Sequence, residues 1–239
     1  MADRQDMAGQ AGPPRTGQVA AVVLAGGGAS RLGGADKPGI KVGGRTLLAA
    51  VAAAAAGAGA RYLVVVGPAR PDLDGLAETL PGAPTIVFTA ERPSGAGPVP
   101  ALRAGLSLVA EDWLLLLAAD LPFLRDSHLR ELVTAARRAA SGALLVDDQG
   151  RPQWLASCWR TASLKAALAG YPGSSMGGLL GPLRPAEVAV AAAAGQPPPW
   201  LDCDTAEDVA AARAHARDGT QRTEADDELA GEVDRRGLR

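Results

Sequence analysis

Four apolar runs, residues 19–25, 61–66, 85–89 and 113–119, punctuate the first half of the chain and give way to glycine, proline or acidic residues. The first and last are apolar throughout rather than alternating, the pattern of strands buried on both faces of a parallel sheet. Between them the pattern turns helical. Residues 47–60 are alanine-rich, with Thr46 placed to cap the start and Gly57 and Gly59 to end the helix. Further helices are expected over 72–80, 100–110 and 127–140. In the second half, runs at 143–146 and 153–159 flank the turn Asp147-Asp148-Gln149-Gly150 and read as a hairpin. A helix over 163–169, a Gly/Ser-rich loop over 171–178, a strand over 187–192 and a final helix over 205–217 complete the series. The sum is an α/β fold of three layers: a mostly parallel central sheet covered by helices on both faces, plus a small antiparallel addition in the second half. In such sheets ligands bind beyond the carboxyl ends of the strands, so the loops after Leu24, Thr89 and Ala119 are expected to converge.

Composition adds bounds. A chain of 239 residues that is 47% hydrophobic supports one domain, read here as residues 19–217. Residues 1–18 are polar and rich in Pro and Gly, and 218–239 are charged; both read as disordered tails. The first tail lacks the apolar core of a signal peptide, and the alanine-rich helix is too short to span a bilayer. A formal net charge of -2 offers no general attraction to nucleic acid or to an anionic membrane. Two cysteines, Cys158 and Cys203, form no disulfide framework and no metal cluster, which points to a reducing cytoplasm.

The strongest chemical signal follows the first strand, where Leu24-Ala25 leads into Gly26-Gly27-Gly28, then Arg31 and Lys37. Without a Cβ in the way, backbone amides can close on a phosphate, and the two cations add to that pull. The loop is neither a Walker A loop, since Gly33 is followed by Gly34 rather than Lys, nor a dinucleotide fingerprint, since Arg31 stands at the third glycine. Asp120 is the second anchor. At the end of Leu114-Leu115-Leu116-Leu117-Ala118-Ala119, a carboxylate is expensive to bury unless it is paired or holds a cation. Mg²⁺ takes one or two carboxylates together with phosphate oxygens, which suits that position; a helix cap within Asp120-Leu121-Pro122 is the competing reading.

The string Leu24-Ala25-Gly26-Gly27-Gly28, with Ser30-Arg31, Gly33-Gly34 and Asp36-Lys37-Pro38, resembles the signature loop of nucleotidyltransferases of the molybdenum cofactor guanylyltransferase type. The resemblance continues through Ala119-Asp120-Leu121-Pro122-Phe123-Leu124 to about Ala216. It implies a Rossmann-like fold and transfer of GMP from GTP to molybdenum cofactor, with release of pyrophosphate and Mg²⁺ as cofactor. Arg31 and Lys37 would hold the triphosphate and steady the departing pyrophosphate, and Asp120 and Asp204 would carry the metal. Leu24, Ala25, Gly26, Gly27, Gly28 and Gly97 would line the nucleotide pocket, with Glu91 facing the donors of guanine. The acceptor would lie over the second half of the sheet, near Gln153, Trp154 and the loop from Tyr171 to Gly178, with Ser174 and Ser175 in that loop. An acceptor phosphate is already ionised at neutral pH, so neither His128 nor His215 is needed as a base.

Three departures bear on the nucleotide. Gly67 stands where the guanylyltransferases carry Asn, Glu91 where they carry Asp, and Asp202-Cys203-Asp204 is closer to related cytidylyltransferases. A cytidylyltransferase acting on molybdenum cofactor, a guanylyltransferase for another phosphorylated small molecule and a sugar-phosphate nucleotidyltransferase are the near alternatives. A glycosyltransferase, from the formal D-x-D of residues 202–204, and a silent nucleotide-binding protein are the distant ones. Asp204 also has a competing structural reading, since Asp204 with Glu207, or Thr205 with Asp208, could form a capping box on the last helix.

Overall fold

The computed structural model describes residues 15–26, 36–70, 73, 75–190 and 196–217. Its strands are β1 (Arg15–Leu24), β2 (Lys41–Val42), β3 (Arg45–Thr46), β4 (Ala60–Val66), β5 (Thr85–Thr89), β6 (Glu111–Ala118), β7 (Gly142–Val146), β8 (Pro152–Arg160) and β9 (Ala186–Ala189). The helices are α1 (Leu47–Gly57), α2 (Leu76–Thr79), α3 (Pro98–Leu106), α4 (Asp126–Ala139), α5 (Thr161–Ala169) and α6 (Met176–Leu180). A last helix, α7, spans 206–217.

Seven strands form one sheet in the order β5-β4-β1-β6-β8-β7-β9. The chain winds outward from β1 through β4 to β5 and then crosses to β6 on the other side of β1. That reversal of strand order opens a crevice at the carboxyl ends of β1 and β6. β8 runs antiparallel to both β6 and β7, and β9 returns parallel to β7. The expected hairpin is present as β7 and β8, and it is built into the main sheet. A separate two-stranded antiparallel ladder, β2–β3, lies in the first half.

Alternate residues of the central strands feed two cores. On one face Ala21, Val23, Leu115 and Leu117 meet Leu48 and Val51 of α1 and Leu129 and Leu132 of α4. On the other, Ala20, Val22, Leu114 and Leu116 meet Leu102 of α3, Leu164 of α5 and Leu180 of α6. Burial on both faces is why β1 and β6 carry no polar side of their own. A third, smaller cluster joins Val42 and Leu47 to Cys203, Val209 and Ala212, and so fixes the start of α7 beside the β2–β3 ladder.

Several boundaries move from the pattern. β1 begins at Arg15, which pairs with Glu111 across an irregularity in the ladder. α3 starts at Pro98, whose fixed φ and missing N–H suit a first turn. The helix expected over 72–80 shortens to Leu76–Thr79 behind Gly75, which takes a left-handed conformation. β9 ends at Ala189, ahead of the expected 192. Both tails, apart from residues 15–18, and the glycine loop from 27 to 35 lie outside the described residues. Among the described residues no helix is long and apolar enough to cross a membrane.

Candidate active site

At the crevice the Ala119 amide donates to the Leu24 carbonyl at 3.1 Å, so the ends of β1 and β6 are tied together. Asp120 follows directly on that tie. Lys37 opens a 3-10 turn, Lys37–Gly39, and Asp204 immediately precedes the cap of α7. The Lys37 ammonium donates to Asp120 Oδ2 and to Asp204 Oδ1. Three segments far apart in sequence thus meet at one nitrogen, with the Lys37 side chain 14% exposed and those of Asp120 and Asp204 21% and 43%. Burial works to lower the Lys37 pKa, but the bonds to Asp120 and then Asp204 outweigh it and hold it above the ordinary lysine value. Lys37 is therefore a fixed positive charge at neutral pH.

The turn that carries Lys37 is itself clamped. Arg70, buried in the loop after β4, bonds Asp36 through both guanidinium nitrogens, with Nη1 to Oδ2 at 2.6 Å. A Cβ on Gly39 would meet the Asp36 carboxylate first and would stand 2.9 Å from Arg70 Nη1, so glycine at that position leaves room for the pair without a shift of either side chain. The clamp is invisible in the sequence pattern, because Asp36 and Arg70 belong to different loops and only the pairing of β1 with β4 brings them together.

Geometry separates the two readings of Asp204. The cap of α7 is made by Thr205 and Asp208: the Thr205 amide donates to Asp208 Oδ2 at 2.8 Å, and the Asp208 amide to Thr205 Oγ1 at 3.1 Å. Asp204 turns its carboxylate to Lys37. Of the two capping boxes that the sequence allows, the helix uses the one that leaves Asp204 facing the crevice.

Glu91 lies after β5 and is buried, its Oε1 accepting from the Gly95 amide at 2.9 Å. The same oxygen stands 3.5 Å from where a Cβ on Gly26 would be. The carboxylate therefore backs directly onto the entrance of the glycine loop. Leu24 and Ala25 are buried behind it, and the Ala25 amide donates to Val66 O at 2.9 Å. Gly97 caps α3 with a φ of 104°, a conformation that favours glycine. Gly27, Gly28 and Arg31 lie outside the described residues.

A cavity of about 320 Å³ continues from Asp120 over the second half of the sheet, lined by Gln153, Trp154, Met176, Trp200 and Asp202 among others. Gln153 and Trp154, expected near the acceptor, are in its wall, whereas Ser174 and Ser175 do not line it. Ser175 instead caps α6, its Oγ accepting from the Gly178 amide at 3.1 Å, and so sets Met176 in the wall. Met176 falls in the loop expected near the acceptor, whereas sequence reasoning misses Trp200 and Asp202 as wall residues; Trp200 has only its nearness to Asp202 and Asp204 as a signal. Burial, followed by the charges of Asp204 and Asp120, raises the Asp202 pKa above the usual carboxylate value. Neither histidine lines this cavity: His128 Nδ1 accepts from the Arg125 amide at the head of α4, and His215 stacks edge-on against Phe123.

The donors fit a hard divalent cation. Asp120 and Asp204 converge on one point, and among the described residues no group of three or more His, Cys, Asp or Glu could cage an ion unaided. Mg²⁺ is held in that manner, by one or two carboxylates with the remaining positions filled by water and phosphate oxygens.

A family profile described as the MobA-like NTP transferase domain matches residues 21–223. The chain belongs to the MobA-like NTP transferase family, and it is a nucleotidyltransferase. It is 32% identical over 171 residues to a molybdenum cofactor guanylyltransferase from Rhodopseudomonas palustris (strain HaA2), a match spanning 66% of this chain and 71% of that one. Two solved structures show the same fold. One is a nucleotidyl transferase from Methanothermobacter, with a TM-score of 0.66, 18% identity, and coverage of 85% of this chain and 99% of that one. The other is 2-C-methyl-D-erythritol 4-phosphate cytidylyltransferase from Thermus thermophilus, with a TM-score of 0.59, 21% identity, and coverage of 84% and 99%. Family membership favours nucleotidyl transfer over the glycosyltransferase reading of residues 202–204.

Proposed function

We propose that this nucleotidyltransferase joins GMP from GTP to molybdenum cofactor and releases pyrophosphate, with Mg²⁺ as its metal. The meeting of Lys37, Asp120 and Asp204 at one point of the crevice carries the reading. An oxygen of the acceptor phosphate attacks the α-phosphorus, the bond from that phosphorus to the bridging oxygen breaks, and pyrophosphate leaves with the electron pair. Such transfer needs positioning and charge stabilisation more than proton chemistry, which agrees with a cavity wall free of histidine among the described residues. Lys37, permanently charged, steadies the pyrophosphate together with Arg31. Asp120 and Asp204 hold Mg²⁺, which when bound neutralises charge on the phosphate oxygens.

Glu91 accepts from the N1–H and exocyclic amine of guanine, supported by its buried carboxylate beside Gly26. Gln153 and Trp154 hold the acceptor, in the cavity that runs on from Asp120. The choice of guanylate and of molybdenum cofactor leans on the Rhodopseudomonas relative. Two free, buried thiols, Cys158 and Cys203, agree with a reducing cytoplasm as the place of action.

A second reading, transfer of CMP, is favoured by Asp202-Cys203-Asp204, the stretch closer to the cytidylyltransferases. Gly67 weighs against guanylate without pointing to another base: a Cβ there would lie 3.1 Å from the carbonyl carbon of Ala25, so the Asn of the guanylyltransferases would need the chain just after β1 to give by a few tenths of an ångström. Pyrophosphate release from GTP, CTP, ATP and UTP, each with molybdenum cofactor as acceptor, separates the two. Turnover with GTP supports the first reading, and turnover with CTP alone replaces it.

A further inference from the structure

Lys37 occupies the point at which the two metal-holding carboxylates converge, and it is placed there by structure rather than by chance of a surface rotamer. Its side chain is largely buried, its turn is clamped from behind by Asp36 and Arg70, and both carboxylates bond it at once. From this geometry we infer that Lys37 is an internal counter-ion that excludes the divalent metal from the free protein, and that nucleotide and metal enter together when phosphate draws the ammonium off Asp120 and Asp204.

Three physical points support it, and the inference rests on the site reading proposed above. First, a divalent cation brought to Asp120 and Asp204 meets an ammonium already in contact with both, so the approach is opposed by like charge at short range. Second, among the described residues no group of three or more His, Cys, Asp or Glu could cage an ion there, so in the free protein water must complete the shell that phosphate oxygens share when nucleotide is bound. Third, a triphosphate supplies Lys37 with a new anionic partner and the metal with its missing oxygens in one event. The two ligands must therefore favour each other, and by reciprocity each raises the other's affinity by the same factor.

Mn²⁺ serves as the probe, its free concentration read by electron paramagnetic resonance, with a GTP analogue carrying a methylene between the α- and β-phosphorus as the nucleotide. The expected result is weak Mn²⁺ binding to the wild-type chain alone and, once the Mn²⁺ that the analogue chelates in a protein-free titration is subtracted, binding to the protein at least about tenfold tighter with the analogue present. Lys37→Met, which keeps the length of the side chain and removes its charge, is expected to bind Mn²⁺ without nucleotide at least about tenfold tighter than the wild type, because the ammonium that opposes the ion at short range is gone. Equal binding by wild type and Lys37→Met in the absence of nucleotide overturns the inference while leaving the site standing, whatever the analogue does. Failure of both proteins to bind Mn²⁺ even with the analogue overturns the inference and the metal site together. The two wild-type titrations need no variant: equal affinity with and without the analogue is also fatal to the inference.

Discussion

In the proposed function it is Glu91 that selects the nucleotide base. Its carboxylate only accepts hydrogen bonds, and the Gly95 amide already fixes one oxygen, so what remains faces donors. Glu91→Gln keeps the shape but turns one face into a donor. The preference for GTP over the other nucleotides is expected to fall by about 10-fold, the scale of one charged hydrogen bond, in competition assays of pyrophosphate release. Unchanged selectivity would remove Glu91 from the base pocket. At this scale the sequence is informative where chemistry forces a residue type: Lys37 and Asp120 can be named because a cation after a glycine loop and an acid after an apolar strand are costly without a purpose. Arg70 cannot, because an arginine after a strand is ordinary until its partner is seen.

The clamp and the cap act at the scale of elements. Arg70→Lys keeps the charge but cannot reproduce the two-pronged contact with Asp36, so the Lys37 turn loses its fixed height over the crevice. Turnover is expected to drop by about 10- to 100-fold, the range seen when a reacting group is displaced by about an ångström, with circular dichroism unchanged; a full rate in a folded Arg70→Lys protein would show the clamp to be structural only. The cap of α7 has a pH signature. Hydrogen bonds from the Thr205 side chain and then its amide hold the Asp208 carboxyl below the usual carboxylate value. Because its pKa is lower in the folded state, its contribution is complete above the unfolded value and disappears as pH falls through the folded one. Asp208→Asn is expected to cost about 1 kcal/mol at neutral pH and progressively less in acid, as read by urea denaturation at both pH values. An equal loss at both would contradict the cap. Element order is legible because parallel strands buried on both faces leave unbroken apolar runs. What is not legible is that β8 sits inside the main sheet between β6 and β7, since a hairpin pattern says which strands pair with each other and not what else they join.

At the scale of the whole molecule, the two cysteines report on different parts of the structure. Burial pushes the Cys158 thiol up to about 12 and the Cys203 thiol up to about 11, so both stay protonated and shielded at neutral pH. Cys158 belongs to the large core under α1 and α4, whereas Cys203 belongs to the small cluster that holds α7 to the β2–β3 ladder. Small clusters open first. In mild urea Cys203 is expected to be alkylated before Cys158, as mapped by peptide mass spectrometry, and the reverse order would contradict the division into a main core and a satellite. Opening of that satellite would also carry Asp204 away from Lys37, which ties the stability of the last helix to the integrity of the site. The account as a whole stands on Lys37 and Asp120 acting on one nucleotide across the crevice. The most direct test is acceptor-dependent pyrophosphate release by wild type, Lys37→Ala and Asp120→Ala at saturating GTP. Each variant is expected to slow by at least about 100-fold, the scale of losing a charge-stabilising group from a preorganised site, and a near-normal rate in either folded variant would contradict it.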